Sequence, residues 1–463
     1  MKSLKKFEGP QVILQKVFSD KSFNQKLLGL AMPVMIQNLM AALVGAADAL
    51  MLCSCSQDAM AAIALATQIQ FMQAIIIGSL MSGISIMGAQ YWGKRDISVL
   101  EKLFAFGVNI STFFSLFFCG GCLFAPELLM KLFTADPKLI HIGAEYLQIV
   151  AFSCLFFSFS RNYLTVMRVT GHLKLSSSIN IMTVLLNVLF NAVFIFGLLG
   201  IPALGVKGAA FATLLARFVE LLVTVLPGSR KGFIALRFKR LITFEKDLIL
   251  DYCRYTLPVI GSFLLWSVGF TSYTAILGHL GKDAAAANAI AAVVRNLCCC
   301  ICDGLAAGTS IMVGHELGAG NLRQAKLYGS RSFILSFIVG IAAAIFIVAA
   351  MPFISASVSL TGEAHHYLKG MLLVLAFYMI GRCVSGVTTN GIFAAGGDTL
   401  FNVKSLIIAM WCVALPCAFL GAFYFHWPVV LVYACTCLDE VGKVPFLAMH
   451  YRKYKWVKNI TRA

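Results

Sequence analysis

Residues 83–96 read GISIMGAQYWGKRD, and residues 308–321 read GTSIMVGHELGAGN. The runs lie 225 positions apart and share Gly83/Gly308, Ser85/Ser310, Ile86/Ile311, Met87/Met312 and Gly93/Gly318. The same offset pairs Pro33 with Pro258, Asp58 with Asp283 and Gly171 with Gly396, and needs no gap between 33 and 171 or between 258 and 396. A unit this long is no solenoid repeat. Two related bundles with a site between them is the arrangement of many secondary transporters.

Composition says what solvent the bundles face. Of 463 residues, 60% are hydrophobic and 12% charged, whereas a soluble domain carries about 25% charged residues. Such a chain belongs in a bilayer, where one spanning helix takes ~20 mostly apolar residues. Twelve stretches qualify, near 27–52, 59–87, 104–132, 141–167, 175–199, 204–227, 250–277, 284–313, 331–357, 367–393, 404–424 and 427–449. The expected fold is an all-α integral membrane protein of twelve helices in two pseudo-symmetric six-helix lobes. Residues 1–26 form a lead, 27–227 the N-lobe, 228–249 a linker, 250–449 the C-lobe and 450–463 a tail. Pro33 and Pro258 fall inside the first helix of each lobe, where each removes a backbone donor.

The net charge of +17 does not point to nucleic acid. Lys and Arg gather in the lead, in alternate loops (Lys94 and Arg95; Arg168 and Lys174; Arg230 to Arg240; Arg323 and Lys326) and in the tail. That is the positive-inside pattern, which places both termini in the cytoplasm of a plasma-membrane protein and the basic groups against anionic lipid. The lead has no apolar core of signal-peptide length; Val12, Ile13, Leu14, Val17 and Phe18 suit either an interfacial helix or a disordered segment. Cys298, Cys299, Cys300 and Cys302 point in different directions on one helix and read as small embedded side chains, not as metal ligands. Cys53 and Cys55 near the outer face are open to oxidation. No phosphate loop or clustered nucleophile is present, so no enzyme and no ATPase is expected; GHELGAG follows a membrane helix, not a strand. Transport would draw on an ion gradient or on the substrate's own.

Ionisable groups inside spans are functional candidates by default. Arg217 with Glu220, and Glu440 with Lys443, are three apart and read as local salt bridges. Arg295 and Asp303, two turns apart, are candidates to neutralise each other through a polar neighbour. Asp48 has no cationic residue within a turn. Asn187 and Asn191, four apart, share a helix face, and Thr213 is on the next helix. Rise per residue puts Asp48 ~6 Å deep and Asn191 and Thr213 ~12–14 Å deep, so within boundary error the four share one level. One carboxylate, two amides and a hydroxyl suit a small cation; the desolvated carboxylate equally suits a proton. The plainer reading of the asparagines is interhelical hydrogen bonding.

These residues sit in a wider pattern. The runs LAMPVMIQNLMAALVGAADALML (30–52), GISIMGAQYWGKRD, LLNVLFNAVFIFG (185–197) and PALGVKGAAFATLLAR (202–217) are followed by YTLPV (255–259), GTSIMVGHELGAGN, GIFAAGGDT (391–399) and KWVKNIT (455–461). In this order and spacing the chain resembles the multidrug and toxic compound extrusion (MATE) family. The resemblance implies two lobes in a V around a central cavity, and export of cationic or amphipathic organic compounds in exchange for sodium ions or protons. It implies a coupling site of Asp48, Asn187, Asn191 and Thr213. Asn191 stands where an Asp is commoner, which leaves one carboxylate and so one monovalent ion per cycle. Pro33, Gln37, Trp266 and Arg382 are placed as cavity or hinge residues. Trp266 and Arg382 also occupy the positions of a second, C-lobe cation site and cannot form one; Arg382 either shapes the cavity field or pairs with a carboxylate. No cofactor beyond Na+ or H+, no metal and a monomer are expected. The alternative on the same fold is a flippase for lipid-linked saccharides, using Arg161, Arg295 and Arg382. Since Asp48 answers to Tyr273 and Thr213 to Leu438, coupling chemistry is expected in the first lobe only.

Overall fold

The computed structural model describes residues 21–53, 57–200, 202–228, 233–234, 245–358 and 360–462. Within these, the side chains of 45–50, 52, 53, 57, 199 and 228 lie outside the description. The stretch 12–18, Cys55 and most of the linker, the basic positions of 230–240 among it, lie outside the described residues too.

Every described element is helical, the form in which an apolar segment pairs its own backbone groups inside a bilayer. The first repeat runs through α1 (Lys21–Cys53), α2 (Gln57–Lys94), α3 (Ile97–Phe124), the short α4 (Pro126–Lys131), α5 (Pro137–Val150), α6 (Ser153–Val169), α7 (Leu173–Phe196) and α8 (Gly205–Gly228). The second has α9 (Lys246–His279), α10 (Lys282–Gly318), α11 (Leu322–Ser357), α12 (Gly362–Gly386), α13 (Thr399–Leu406), α14 (Leu415–Phe423), α15 (Val429–Thr436), α16 (Leu438–Val441) and α17 (Lys443–Arg452). The 225-residue offset reappears in the helix starts: Lys21 and Lys246, Gln57 and Lys282, Ile97 and Leu322, Pro137 and Gly362. Even a turn is kept. Arg95 takes a left-handed φ of 64°, and its counterpart Gly320 a φ of 78°. Asp96 then caps α3 by accepting from the Val99 N–H at 3.2 Å.

The later spans break the symmetry. Among the described residues ten helices are long and apolar enough to cross a membrane. An eleventh span is the α5–α6 pair, bent by 48°. The stretch expected at 427–449 is the twelfth, and it is three short helices instead of one, because buried Asp439, Glu440 and Lys443 interrupt its apolar run. In the second repeat α12 widens into a π-helix over Val387–Phe393, and a second π segment, Ile407–Ala414, joins α13 to α14. The latter ends just before Pro416, whose missing N–H cannot bond the carbonyl of Cys412.

Packing gathers the chain into two compact units: Ile36–Thr256, and Met1–Met35 with Leu257–Ala463. Each repeat's first helix thus changes unit beside its internal proline, Pro33 in α1 and Pro258 in α9. Small residues permit the close contacts that result. In the unit containing the second repeat, Gly304 and Gly308 of α10 lie under α1; a Cβ on Gly308 would come within 3.1 Å of the Ala31 nitrogen, and one on Gly304 would collide with Met35. Phe23 and Leu27 bury beside Tyr328 in the same core. In the other unit Gly83, the counterpart of Gly308, lies under α9, where a Cβ would collide with Thr256. There the Tyr252 hydroxyl donates to the Leu80 carbonyl at 2.7 Å.

Candidate functional site

The helix pair α7–α8 carries three of the four predicted coupling residues. Gly197, at φ 75°, ends α7 in a left-handed cap. The chain then returns so closely that a Cβ on Gly208 would come within 2.5 Å of the Phe194 carbonyl oxygen. That approach sets Thr213 opposite Asn187. The Asn187 Nδ2 donates to the Thr213 hydroxyl at 3.5 Å, and the Asn191 Nδ2 donates to Asn187 Oδ1 at 3.4 Å. The Thr213 hydroxyl donates in turn to the Ala209 carbonyl at 3.0 Å. The row links two helices, which is the plainer role expected of the asparagines. Its first two bonds are long for hydrogen bonds, so little is lost if the amides turn their oxygens to another ligand. The fourth residue, Asp48, belongs to α1, but its side chain lies outside the described residues.

Below this row, toward the end of α8 where the chain is basic, sits an ion pair. Arg217 Nη1 lies 2.7 Å from Glu220 Oε2, as the spacing predicts, and Glu220 is 0% exposed. The Arg217 and Arg161 guanidiniums each lie 4.8 Å from the centre of the Phe157 ring, two cation–π contacts on one ring. Phe157 was not singled out by sequence, although its spacing of four to Arg161 was a readable signal. An apolar groove of about 510 Å³ opens nearby, with Phe156, Phe194, Phe211 and Phe218 in its wall. It offers no charge to select a ligand.

In the second repeat Arg295 and Asp303, whose role the sequence leaves open, take separate partners. Eight residues on a helix are ~12 Å apart along its axis. Asp303 instead takes Arg382 from α12, Nη2 to Oδ1 at 3.1 Å, so the carboxylate partner of Arg382 is identified. Arg295 rests 4.4 Å above the Phe270 ring, and Trp266 stacks on the same ring at 5.3 Å and 19°. Lys443 lies 3.5 Å from Glu440, as expected. Of the other cavity or hinge residues, Pro33 continues α1 without a break. Gln37 is partly buried, and its Oε1 has no hydrogen-bond partner.

The MatE family pattern matches residues 33–193 and again 258–420, once per repeat. An uncharacterized transporter of Bacillus subtilis, YisQ, is 23% identical over 95% of this chain and 96% of its own. A probable multidrug resistance protein, NorM, of Thermotoga maritima is 24% identical over 94% and 93%. Among solved structures, a mutant of the Vibrio cholerae MATE transporter VcmN superimposes with a TM-score of 0.86, covering 94% of this chain and 98% of that one at 16% identity. With twelve helical spans in two repeats, each matched by the same pattern, this multi-pass membrane protein belongs to the MatE family of multidrug and toxic compound extrusion transporters.

Proposed function

We propose that the chain is a plasma-membrane antiporter, both termini cytoplasmic, that exports cationic or amphipathic organic compounds as a monomer by alternating access. One proton or one sodium ion, bound at Asp48, Asn187, Asn191 and Thr213, drives the exchange. The observation that carries this reading is the row Asn191–Asn187–Thr213, held across α7 and α8 by bonds of 3.4 and 3.5 Å. Its exchangeable amides supply oxygens for a cation, and the single carboxylate of Asp48 supplies the charge. Binding there biases α1, with Pro33 as its weak point, toward substrate release; substrate in turn lowers the affinity for the ion. Trp266 stacked on Phe270 and Arg382 tied to Asp303 support the absence of the family's C-lobe cation site.

A saccharide flippase would need unengaged cations for a pyrophosphate. Arg217 and Arg382 are tied to carboxylates, and Arg161 and Arg295 lie on aromatic rings, so that reading is the weaker one. The test is dye transport in proteoliposomes under separately imposed sodium and proton gradients. One gradient is expected to drive uptake in the wild type, and Asp48→Asn to abolish that dependence. Intact ion-driven transport in Asp48→Asn sinks the assignment.

A further inference from the structure

The repeat offset maps the first-lobe cluster onto a second place in the chain: Asp48 onto Tyr273, Asn187 onto Cys412, Asn191 onto Pro416 and Thr213 onto Leu438. Position by position the ion donors are gone. One residue beyond Leu438, however, stands Asp439, 4% exposed, and its Oδ1 has no hydrogen-bond partner. Tyr273, 6% exposed, has a hydroxyl that also lacks a partner. The two groups interact electrostatically. Tyr273 packs on Leu406, Met410 and Ala414, beside the π segment against which α16 lies. The helices equivalent to α1 and α8 therefore bring a polar pair together again, now a phenol and a carboxyl.

The surrounding charges leave Asp439 over. Asp303 holds Arg382, Glu440 holds Lys443, and Arg295 rests on Phe270. The other ionisable groups facing Asp439 are Tyr378 of α12 and Cys437 at the end of α15. Tyr433 borders the same group, and Cys412 of the π segment is exposed. A carboxylate with an unpartnered oxygen is costly in an apolar interior, and one proton removes that charge. A metal ion suits the place poorly: one carboxylate, one phenol and a thiol beside two fixed cations are not a cage of hard oxygens.

We propose that Asp439, with the Tyr273 phenol as its polar neighbour, is a second proton-binding site, in the second repeat, that loads and unloads during transport. The proposal rests on the antiport reading and adds a carboxyl to the one at Asp48. When substrate binds, the Asp439 O–H bond breaks and the proton leaves to water; it returns from the opposite side of the membrane.

The experiment uses the purified full chain in weakly buffered detergent, with ethidium as the substrate probe and a pH-sensitive fluorophore to count released protons. Asp439→Asn should lower the release, Asp48→Asn should lower it separately, and the pair should abolish it; Asp439→Glu should restore it. Tyr273→Phe, which deletes one oxygen, should shift the pH midpoint of release and leave its amplitude. Infrared difference spectra between acid and alkaline pH should lose a protonated-carboxyl band in Asp439→Asn, whether or not dye is moved. Unchanged release in Asp439→Asn, with Asp48→Asn still defective, overturns the second site and spares the antiport reading. An unshifted midpoint in Tyr273→Phe, or an intact band in Asp439→Asn, also overturns it. No release from the wild type overturns the second site, and the imposed sodium gradient then tests whether a sodium ion alone drives the exchange.

Discussion

Glu220 serves two guanidiniums, which sets an order among substitutions. It is fully buried, bonds Arg217 at 2.7 Å and also interacts electrostatically with Arg161. Removing one partner of a buried pair costs about 3 kcal/mol or more, because the other charge stays behind. Glu220→Gln should therefore lower the melting temperature in detergent clearly. Arg217→Met should cost less, since Arg161 remains to answer Glu220; an equal loss in both would show that Arg161 contributes nothing. Thr213 makes a separate case. Thr213→Val removes the acceptor of the Asn187 amide, worth about 1 kcal/mol. If the hydroxyl also binds the coupling ion, the half-saturating ion concentration in transport assays should rise about tenfold, as 1.4 kcal/mol requires. The i,i+3 pairs were legible because helical spacing alone brings such side chains together. The partner of Asp303 was not, because Arg382 is 79 residues away and only the packing of α12 on α10 brings it near.

At the scale of elements, the repeat made the helix order readable, and the symmetry of the starts follows from it. What sequence periodicity missed is where helices touch. Gly304 and Gly308 form a glycine pair four apart, a packing signal with a known meaning in membranes, yet nothing in hydropathy says that α1 is what lies on it. The break of the twelfth span was half-visible: its three embedded charges were plain, but hydropathy cannot say whether a helix bends around charges or carries them. The contact at Gly308 gives a test. Gly308→Val should push α1 off α10 and destabilise the protein by about 1–3 kcal/mol, the range for overpacking; Gly83→Val should do likewise at Thr256. Gly78→Val, whose Cβ meets nothing within 4 Å, is the control and should leave the melting temperature unchanged. A smaller effect belongs to the turn that precedes α11. Gly320→Ala forces a side chain into the left-handed region at about 1–2 kcal/mol, whereas Arg95→Gly at the equivalent turn should not destabilise.

At the scale of the whole molecule, the two ways of dividing the chain differ. The repeats divide it in the middle, while packing divides it inside α1 and α9, beside Pro33 and Pro258. A helix that crosses between units must bend if the units move, and a proline weakens it at one place by withholding a hydrogen bond. In α1 the carbonyl of Gly29 lacks the donor that position 33 would supply, and in α9 the carbonyl of Arg254 lacks that of position 258. Restoring the donor should stiffen each helix without touching any ion-pairing group. Pro33→Ala and Pro258→Ala are therefore expected to raise the melting temperature or leave it unchanged, to leave equilibrium dye binding within about twofold, and to slow ion-driven transport by about tenfold, the rate cost of ~1.4 kcal/mol on a conformational barrier. Dye binding and transport measured on the same preparation separate the alternatives. Weakened binding in step with transport would make the prolines part of the binding surface, and unchanged transport would mean that neither helix bends during the cycle.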